Sequence, residues 1–134
     1  MGNATKGTEL WVKTKDETGA LAKCTVTLRE NDVNIEAICA YGMENEASFM
    51  FITSDNTKAK QLLTGGGYTV EENNVVWWQA GNTPGTLNKA TAALAEKGVN
   101  IKYLYGSGGT GNANAWIVFN TNNNEETWNT LNNF

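Results

Sequence analysis

The sequence contains no histidine and only two cysteines, so the commonest general base and metal ligand is missing. Cys24 and Cys39 lack metal-ligand spacing and lie in apolar stretches, which predicts free, buried thiols in a reducing compartment. The acidic pairs at 16–17 and 71–72 are adjacent in sequence and project in different directions, so neither forms a converging acid–base pair. We therefore expect a protein that is not an enzyme and uses no metal or cofactor.

Positive charge is scarce and unclustered. Ten Lys and Arg residues stand against fourteen Asp and Glu residues, for a net charge of −4, so we expect no nucleic-acid partner. No apolar run approaches the roughly 20 residues of a membrane span, and the N-terminus carries no apolar signal segment. These absences predict a cytoplasmic protein without a membrane partner.

A packed core is nevertheless expected, because the 134 residues are 40% hydrophobic and include one proline. The two halves of the chain repeat each other at an offset of 66 residues. Nine identical pairs carry this repeat: Gly19/Gly85, Leu21/Leu87, Lys23/Lys89, Thr25/Thr91, Leu28/Leu94, Glu30/Glu96, Val33/Val99, Asn34/Asn100 and Ile35/Ile101. Further on the offset is 68, as in Phe51/Phe119, and the extra residues fall in a glycine-rich stretch. A duplicated fold tolerates such an insertion in a turn.

Each half shows the same order of elements: strand, helix, two strands and a second helix. The predicted ranges in the first half are Glu9–Lys13, a helix through Leu21 and Leu28, Val33–Tyr41, Ala47–Thr53, Asn56–Leu63 and a fourth strand Tyr68–Glu72. In the second half they are Val75–Gln79, a helix through Leu87 and Leu94, Val99–Tyr105, Ala113–Asn120 and Glu125–Asn132. This predicts an α+β chain of two tandem ferredoxin-like βαββαβ domains, 1–73 and 74–134, the second lacking its last strand.

The missing strand predicts that Val75–Gln79 is an uncovered sheet edge, for which a partner chain and hence a homodimer are expected. We predict Thr83 as the helix N-cap, Pro84 at the first helical position and Gly98 in the left-handed position after the last turn. The stretch Gly106–Gly111 lies between two strands rather than before a helix. It predicts a flexible hairpin and not a phosphate-binding loop.

Two stretches of the chain resemble ACT domains. The first runs from Asp16-Glu17-Thr18-Gly19-Ala20-Leu21 to Val33-Asn34-Ile35, and the second from Asn82-Thr83-Pro84-Gly85-Thr86-Leu87 to Val99-Asn100-Ile101. The family pattern is an acidic residue near Pro-Gly, a following Leu, and a helix that ends before Val/Ile-Asn-Ile. The first copy departs from it with Thr18 in place of Pro, and the second with Asn82 in place of the acidic residue.

The resemblance implies a regulatory module that binds an amino acid where two such domains pack together. The implied site combines the turn before the first helix with the start of the second strand. Its residues are Asp16, Thr18, Gly19, Ala20, Leu21 and Asn34 in the first half, and Asn82, Pro84, Gly85, Thr86, Leu87 and Asn100 in the second.

The chemistry of these residues suits an amino acid. A helix N-terminus attracts a carboxylate, glycine admits a ligand close to the backbone, and asparagine both donates and accepts. Asp16 can pair with an ammonium group whereas the neutral Asn82 cannot, so we expect the first site to bind a zwitterion better.

Alternatives remain for each feature. The glycines can serve close helix–sheet packing, and the asparagines can cap the turns before their strands. At the level of function, the same folds can drive association without a ligand, or form the regulatory subunit of an amino-acid biosynthetic enzyme.

Overall fold

The computed structural model describes residues 3–108 and 114–134, which contain six strands and four helices. Their order is β1 (Ala4–Lys15), α1 (Ala20–Glu30), β2 (Ile35–Met43), β3 (Glu46–Thr53), α2 (Asn56–Gly65), β4 (Thr69–Ala80), α3 (Thr86–Glu96), β5 (Ile101–Ser107), β6 (Ala115–Thr121) and α4 (Asn124–Asn132). The chain forms two compact units. The first unit is Thr8–Asn73, and the second is Asn74–Phe134 together with the N-terminal residues up to Gly7. Strands β1 and β4 each contribute to both.

The first unit has the strand order β2-β3-β1-β4. Strand β3 runs antiparallel to both neighbours, with Leu10 opposite Phe51 and Cys39 opposite Met50. Alternate side chains face helices α1 and α2, as the two-residue period of a strand requires. The core consists of Leu10, Val12, Cys24, Leu28, Val33, Ala47, Phe49, Phe51, Ala59 and Leu63.

The second unit repeats this plan with the order β1-β4-β6-β5. Trp78 lies opposite Ile117 and Leu104 opposite Phe119 in antiparallel register. Helices α3 and α4 cover a core that consists of Ala4, Val76, Trp78, Ala80, Ala90, Leu94, Val99, Ile117, Phe119 and Leu131. The α+β fold with two tandem ferredoxin-like units is therefore confirmed, and within the described residues no strand follows α4.

The N-terminal part of β1 flanks β4 in the second unit, where the missing fourth strand was expected to leave an open edge. The Gln79 N–H donates to the Asn3 carbonyl (3.0 Å), and the Trp128 Nε1–H donates to the Ala4 carbonyl (3.1 Å). Ala4 is buried in this unit's core. The prediction of an uncovered β4 edge that a partner chain must pair is thus wrong, because the chain supplies the covering strand itself.

Three strand predictions were too short for one reason. The predicted strand Glu9–Lys13 is the middle of β1, and Tyr68–Glu72 and Val75–Gln79 are parts of the single strand β4. Residues 4–8 and 73–74 show no alternation of apolar and polar side chains, so the sequence pattern did not predict that the strands extend through them. As a consequence, the two compact units differ from the predicted ranges 1–73 and 74–134 in the N-terminal residues, which pack with the second half.

The helix-capping predictions had mixed outcomes. Gly98 adopts a φ of 73°, which confirms the left-handed position after α3. Helix α3 begins two residues later than predicted, at Thr86, so its N-cap is Gly85 rather than Thr83. Residues 109–111 of the predicted hairpin Gly106–Gly111 lie outside the described residues, and β5 ends at Ser107. In the described ranges, no helix combines the length and apolar character needed to cross a membrane.

We predict that Ala4→Asp destabilises the second unit by about 2–4 kcal/mol, because it buries an unpaired charge in that core. Thr5→Asp, at the exposed neighbouring position, is the matched control and should change the free energy of unfolding by less than about 0.5 kcal/mol. Urea unfolding followed by tryptophan fluorescence measures both. Equal effects of the two substitutions would show that residues 4–7 are not packed as described.

Candidate functional site

The turn between β1 and α1 is held by a left-handed glycine. Gly19 has φ 83° and ψ 2°, and its carbonyl accepts from the Lys23 N–H (2.9 Å) as the N-cap of α1. No described atom lies within 4 Å of where a β-carbon would stand on Gly19. Close packing therefore does not require this glycine, and the backbone conformation does. The first-turn N–H groups of α1 have no acceptor within the helix, and the first of them, that of Ala20, donates to the Glu17 carbonyl (3.1 Å).

Asp16 lies over the edge strand of its own unit. Its N–H donates to the Asn45 carbonyl (3.0 Å), and its carboxylate rests on the backbone of Gly42 in β2. A methyl group at position 42 would lie 2.8 Å from the Asp16 Cγ and 3.1 Å from its Oδ1. The absence of a side chain at position 42 therefore lets the carboxylate sit against β2.

A shallow groove of about 290 Å³ lies between this carboxylate, the first turn of α1 and β2. Its lining includes Asp16, Gly19, Leu21, Ala40 and Tyr41. Leu21 is 36% exposed, whereas Cys24 and Leu28 of the same helix are buried. The groove thus combines two carboxylates, those of Asp16 and Glu17, with the first turn of α1 and the exposed apolar side chain of Leu21.

The second unit repeats this arrangement with a neutral side chain. Gly85 has φ 89°, and its carbonyl accepts from the Lys89 N–H (2.9 Å). The Asn82 Oδ1 lies 3.3 Å from where a β-carbon would stand on Gly108. Asn82 and Gly108 follow Asp16 and Gly42 by 66 residues each, so the two units hold a polar side chain over an edge glycine in the same way.

The remaining predicted turn residues lie at the same end of their units. Thr18, Ala20 and Leu21 surround Gly19 in the first unit, and Pro84, Thr86 and Leu87 surround Gly85 in the second. All are at least partly exposed. The Thr86 hydroxyl lies 2.8 Å from that of Thr83, which orders the turn before α3.

Asn34 and Asn100 do not join these turns within their own units. The Asn34 N–H donates to the Ser54 Oγ (3.0 Å) and its carbonyl accepts from the Ser54 N–H (2.9 Å). Asn100 pairs in the same way with Asn122. Both asparagines stand where the first helix has ended, about 16 Å along its axis from the glycine turn. A single unit therefore does not assemble the predicted site.

Gly42 and Gly108, over which the side chains of Asp16 and Asn82 lie, were missed among the predicted site residues. A usable signal existed, because the repeat at an offset of 66 extends to this pair. It gave no functional hint on its own, since glycines near a hairpin are ordinarily turn residues.

Neither thiol has the character of a nucleophile. Burial raises the pKa of Cys24 to about 11, so its thiol stays protonated at neutral pH. The pKa of Cys39 is also raised, first by burial and then by the nearby Glu9 carboxylate. Among the described residues, no three metal-ligating side chains converge.

Two tandem ferredoxin-like units, each with a left-handed glycine turn that opens its first helix, define a class of small paired domains. The sequence profile of the ACT domain pair family matches residues 7–133. The chain belongs to the ACT domain pair family. The resemblance read from the sequence is thereby confirmed.

Comparison with solved structures agrees with this membership. Protein BT0572 from Bacteroides thetaiotaomicron is similar over 98% of this chain and 90% of its own, with 27% identity and a TM-score of 0.89. The ligand-free regulatory subunit of aspartate kinase from Thermus thermophilus matches over 97% and 95%, with 16% identity and a TM-score of 0.68. The corresponding subunit from Thermus flavus matches over 98% and 93%, with 15% identity and a TM-score of 0.64. None of the curated proteins matches the sequence.

We predict that Gly19→Ala and Gly85→Ala each lower the free energy of unfolding by about 1–2 kcal/mol, because alanine is strained at positive φ. Gly65→Ala is the matched control. It closes helix α2 with no neighbour in its way, so it should be neutral or slightly stabilising. Urea titration of the three variants is the measurement, and an unaffected Gly19→Ala protein would contradict the left-handed turn.

Proposed function

We propose that this protein is a regulatory, non-catalytic ACT domain pair that binds an amino acid between an ACT domain of one copy and an ACT domain of a second copy. It acts in the cytoplasm and modulates an enzyme of amino-acid metabolism. The observation that carries the proposal is the separation of the two halves of the candidate site within each unit.

The separation points to a second copy for a geometric reason. Strand β2 lies at the end of its unit's strand order; Asn34 directly precedes its first residue, and Gly42, which the Asp16 carboxylate contacts, lies near its last. When two such edges pair antiparallel about a two-fold axis, the turn end of one meets the asparagine end of the other. Such a joint brings the predicted residue types together, and it also covers an exposed apolar edge.

The chemistry of the joint site supports a zwitterionic ligand. The first-turn N–H groups of α1 suit its carboxylate, and the carboxylate of Asp16 suits its ammonium group. Exposed Leu21 and Ile38 offer apolar surface for a side chain. The second unit has the same layout with Asn82 in place of Asp16, so its groove attracts an ammonium group less strongly.

The regulatory part of the proposal draws on the relatives. Two of the similar structures are titled as regulatory subunits of aspartate kinase, which makes an enzyme of amino-acid metabolism the natural target. Support against catalysis comes from the lack of histidine and from two thiols with raised pKa values. An association module without a ligand is the competing function, since the apolar edges alone favour pairing.

A thermal-unfolding panel of the twenty amino acids tests the proposal. A ligand at a hundred times its dissociation constant should stabilise the folded protein by about 2.7 kcal/mol, because it binds only the native state. We expect a selective response to one amino acid or a few related ones. A flat panel from a folded, self-associated protein would favour the association module instead.

We further predict that Asp16→Asn raises the dissociation constant of the responding amino acid roughly ten- to hundredfold, because it removes a charge-assisted contact. Gly42→Ala should have a similar effect, since its methyl group displaces the Asp16 carboxylate, while stability changes by less than about 1 kcal/mol. Titration calorimetry measures both variants.

Glu71→Gln is the control for this pair, because it removes one carboxylate charge at an exposed position of β4, at the other end of the unit's strand order from β2. Its affinity should equal that of the unmodified protein. If all three variants bind alike, the ligand does not contact Asp16.

A further inference from the structure

The segment that covers β4 in the second unit is held by side chains on one face of α4. Glu125, Trp128 and Asn132 are spaced i, i+3 and i+7, so they form a single row, the α4 stripe. The Ala4 N–H donates to the Asn132 Oδ1 (3.4 Å), and the Ala4 carbonyl accepts from the Trp128 Nε1–H (3.1 Å). Two helix side chains thus bind both polar groups of one residue's main chain.

The α4 stripe also binds a positive charge two residues further along the segment. The Lys6 Nζ forms an ion pair with Glu125 and lies 4.5 Å from the centroid of the Trp128 ring. A carboxylate beside an aromatic ring suits an ammonium or a guanidinium group. The stripe therefore contacts the main chain at position 4 and the charged head group at position 6.

The other side chains of the segment contribute little. Among residues 3–7 only Ala4 is buried, and its methyl group lies in the core of the second unit. Asn3 contributes its main-chain carbonyl, which accepts from the Gln79 N–H, and its side chain is exposed like that of Thr5. These contacts require only an extended chain with a small residue followed two positions later by a basic one. Addition of such a strand to a sheet edge is a common mode of peptide recognition.

The corresponding helix of the first unit carries different side chains. At an offset of 68 the α4 stripe corresponds to Thr57, Lys60 and Thr64 of α2, which line an open groove of about 470 Å³. The covering strand of that unit follows α2 directly along the chain and packs Tyr68 and Val70 against the core. The covering segment of the second unit lies 124 residues from its helix partner Trp128 and buries one side chain. The stripe therefore takes over what chain connection and core packing do in the first unit.

We propose that the β4 edge and the α4 stripe form a binding site for an extended peptide of a partner protein, in which a small residue is followed two positions later by Lys or Arg. Residues 3–7 occupy this site in the unbound protein, and the partner peptide displaces them. A segment with one buried side chain and an exposed ion pair opens at a lower free energy than the core. Its release leaves the first unit intact, because that unit begins at Thr8. The proposal is independent of any amino-acid site.

Fluorescence anisotropy of a labelled peptide with the sequence of residues 3–8, added to the full chain, tests the displacement. The segment of the chain itself competes with the peptide, so the apparent dissociation constant is raised by the inverse of the open fraction. Lys6→Glu in the chain sets a carboxylate beside Glu125 and loosens the segment. It should lower the peptide's dissociation constant roughly three- to tenfold. Lys6 is exposed, so the variant should fold.

Lys102→Glu makes the same change of charge on β5, at the other end of the unit's strand order, and should leave the affinity unchanged. A peptide that carries the Lys6→Glu change should bind roughly three- to tenfold more weakly to every chain. Equal affinity of the original peptide for the unmodified and Lys6→Glu chains would overturn the proposal, as would no binding at about 1 mM protein. Dimers of the unmodified chain that the free peptide dissociates, seen by sedimentation equilibrium, would make a second copy the occupant and overturn the assignment to a partner protein.

Discussion

The second unit depends on the two-sided pairing of β4. An inner strand must satisfy its main-chain N–H and C=O groups on both edges, and it buries Val76 and Trp78 only when both neighbours are present. Strand β6 covers one edge, and the N-terminal part of β1 covers the other. Lys6 adds an ion pair with Glu125 and lies 4.5 Å from the Trp128 ring centroid. Because exposed ion pairs contribute little, the backbone pairing and the burial of Ala4 hold this segment.

Much of this architecture could be predicted from repetition alone. The identities from Gly19/Gly85 to Ile35/Ile101 align the helices and the second strands of both units, and periodicity supplies their types. The extent of β1 and β4 could not be predicted in this way. Ala4 is the only buried residue between positions 3 and 8, so the covering segment leaves no alternating pattern. Its place is set by long-range pairing, which local sequence does not encode.

The candidate site shows a similar division. The glycine turns follow from sequence, since a left-handed residue before a helix calls for glycine. The distance of Asn34 from that turn follows from the direction of the chain. Helix α1 begins at the glycine turn and runs along the sheet, so the strand that follows it, β2, begins at the opposite end of the sheet. The glycine and the asparagine of the ACT sequence pattern are therefore separated in space by the length of helix α1. The support of Asp16 by Gly42 needed coordinates, because the two residues lie in different strands and only their repetition as Asn82 and Gly108 links them.

Divergence between the two copies carries more functional information than their agreement. The glycine turns and the apolar edges agree, and shared features of this kind let any edge pair with any other. Specificity is a difference between competing arrangements, so it must come from positions where the units differ. Asp16 against Asn82 and Glu36 against Lys102 are such positions, and they lie at the two ends of the same edges. The difference between Asp16 and Asn82 gives the equivalent turns of the two units different charges on one shared backbone plan.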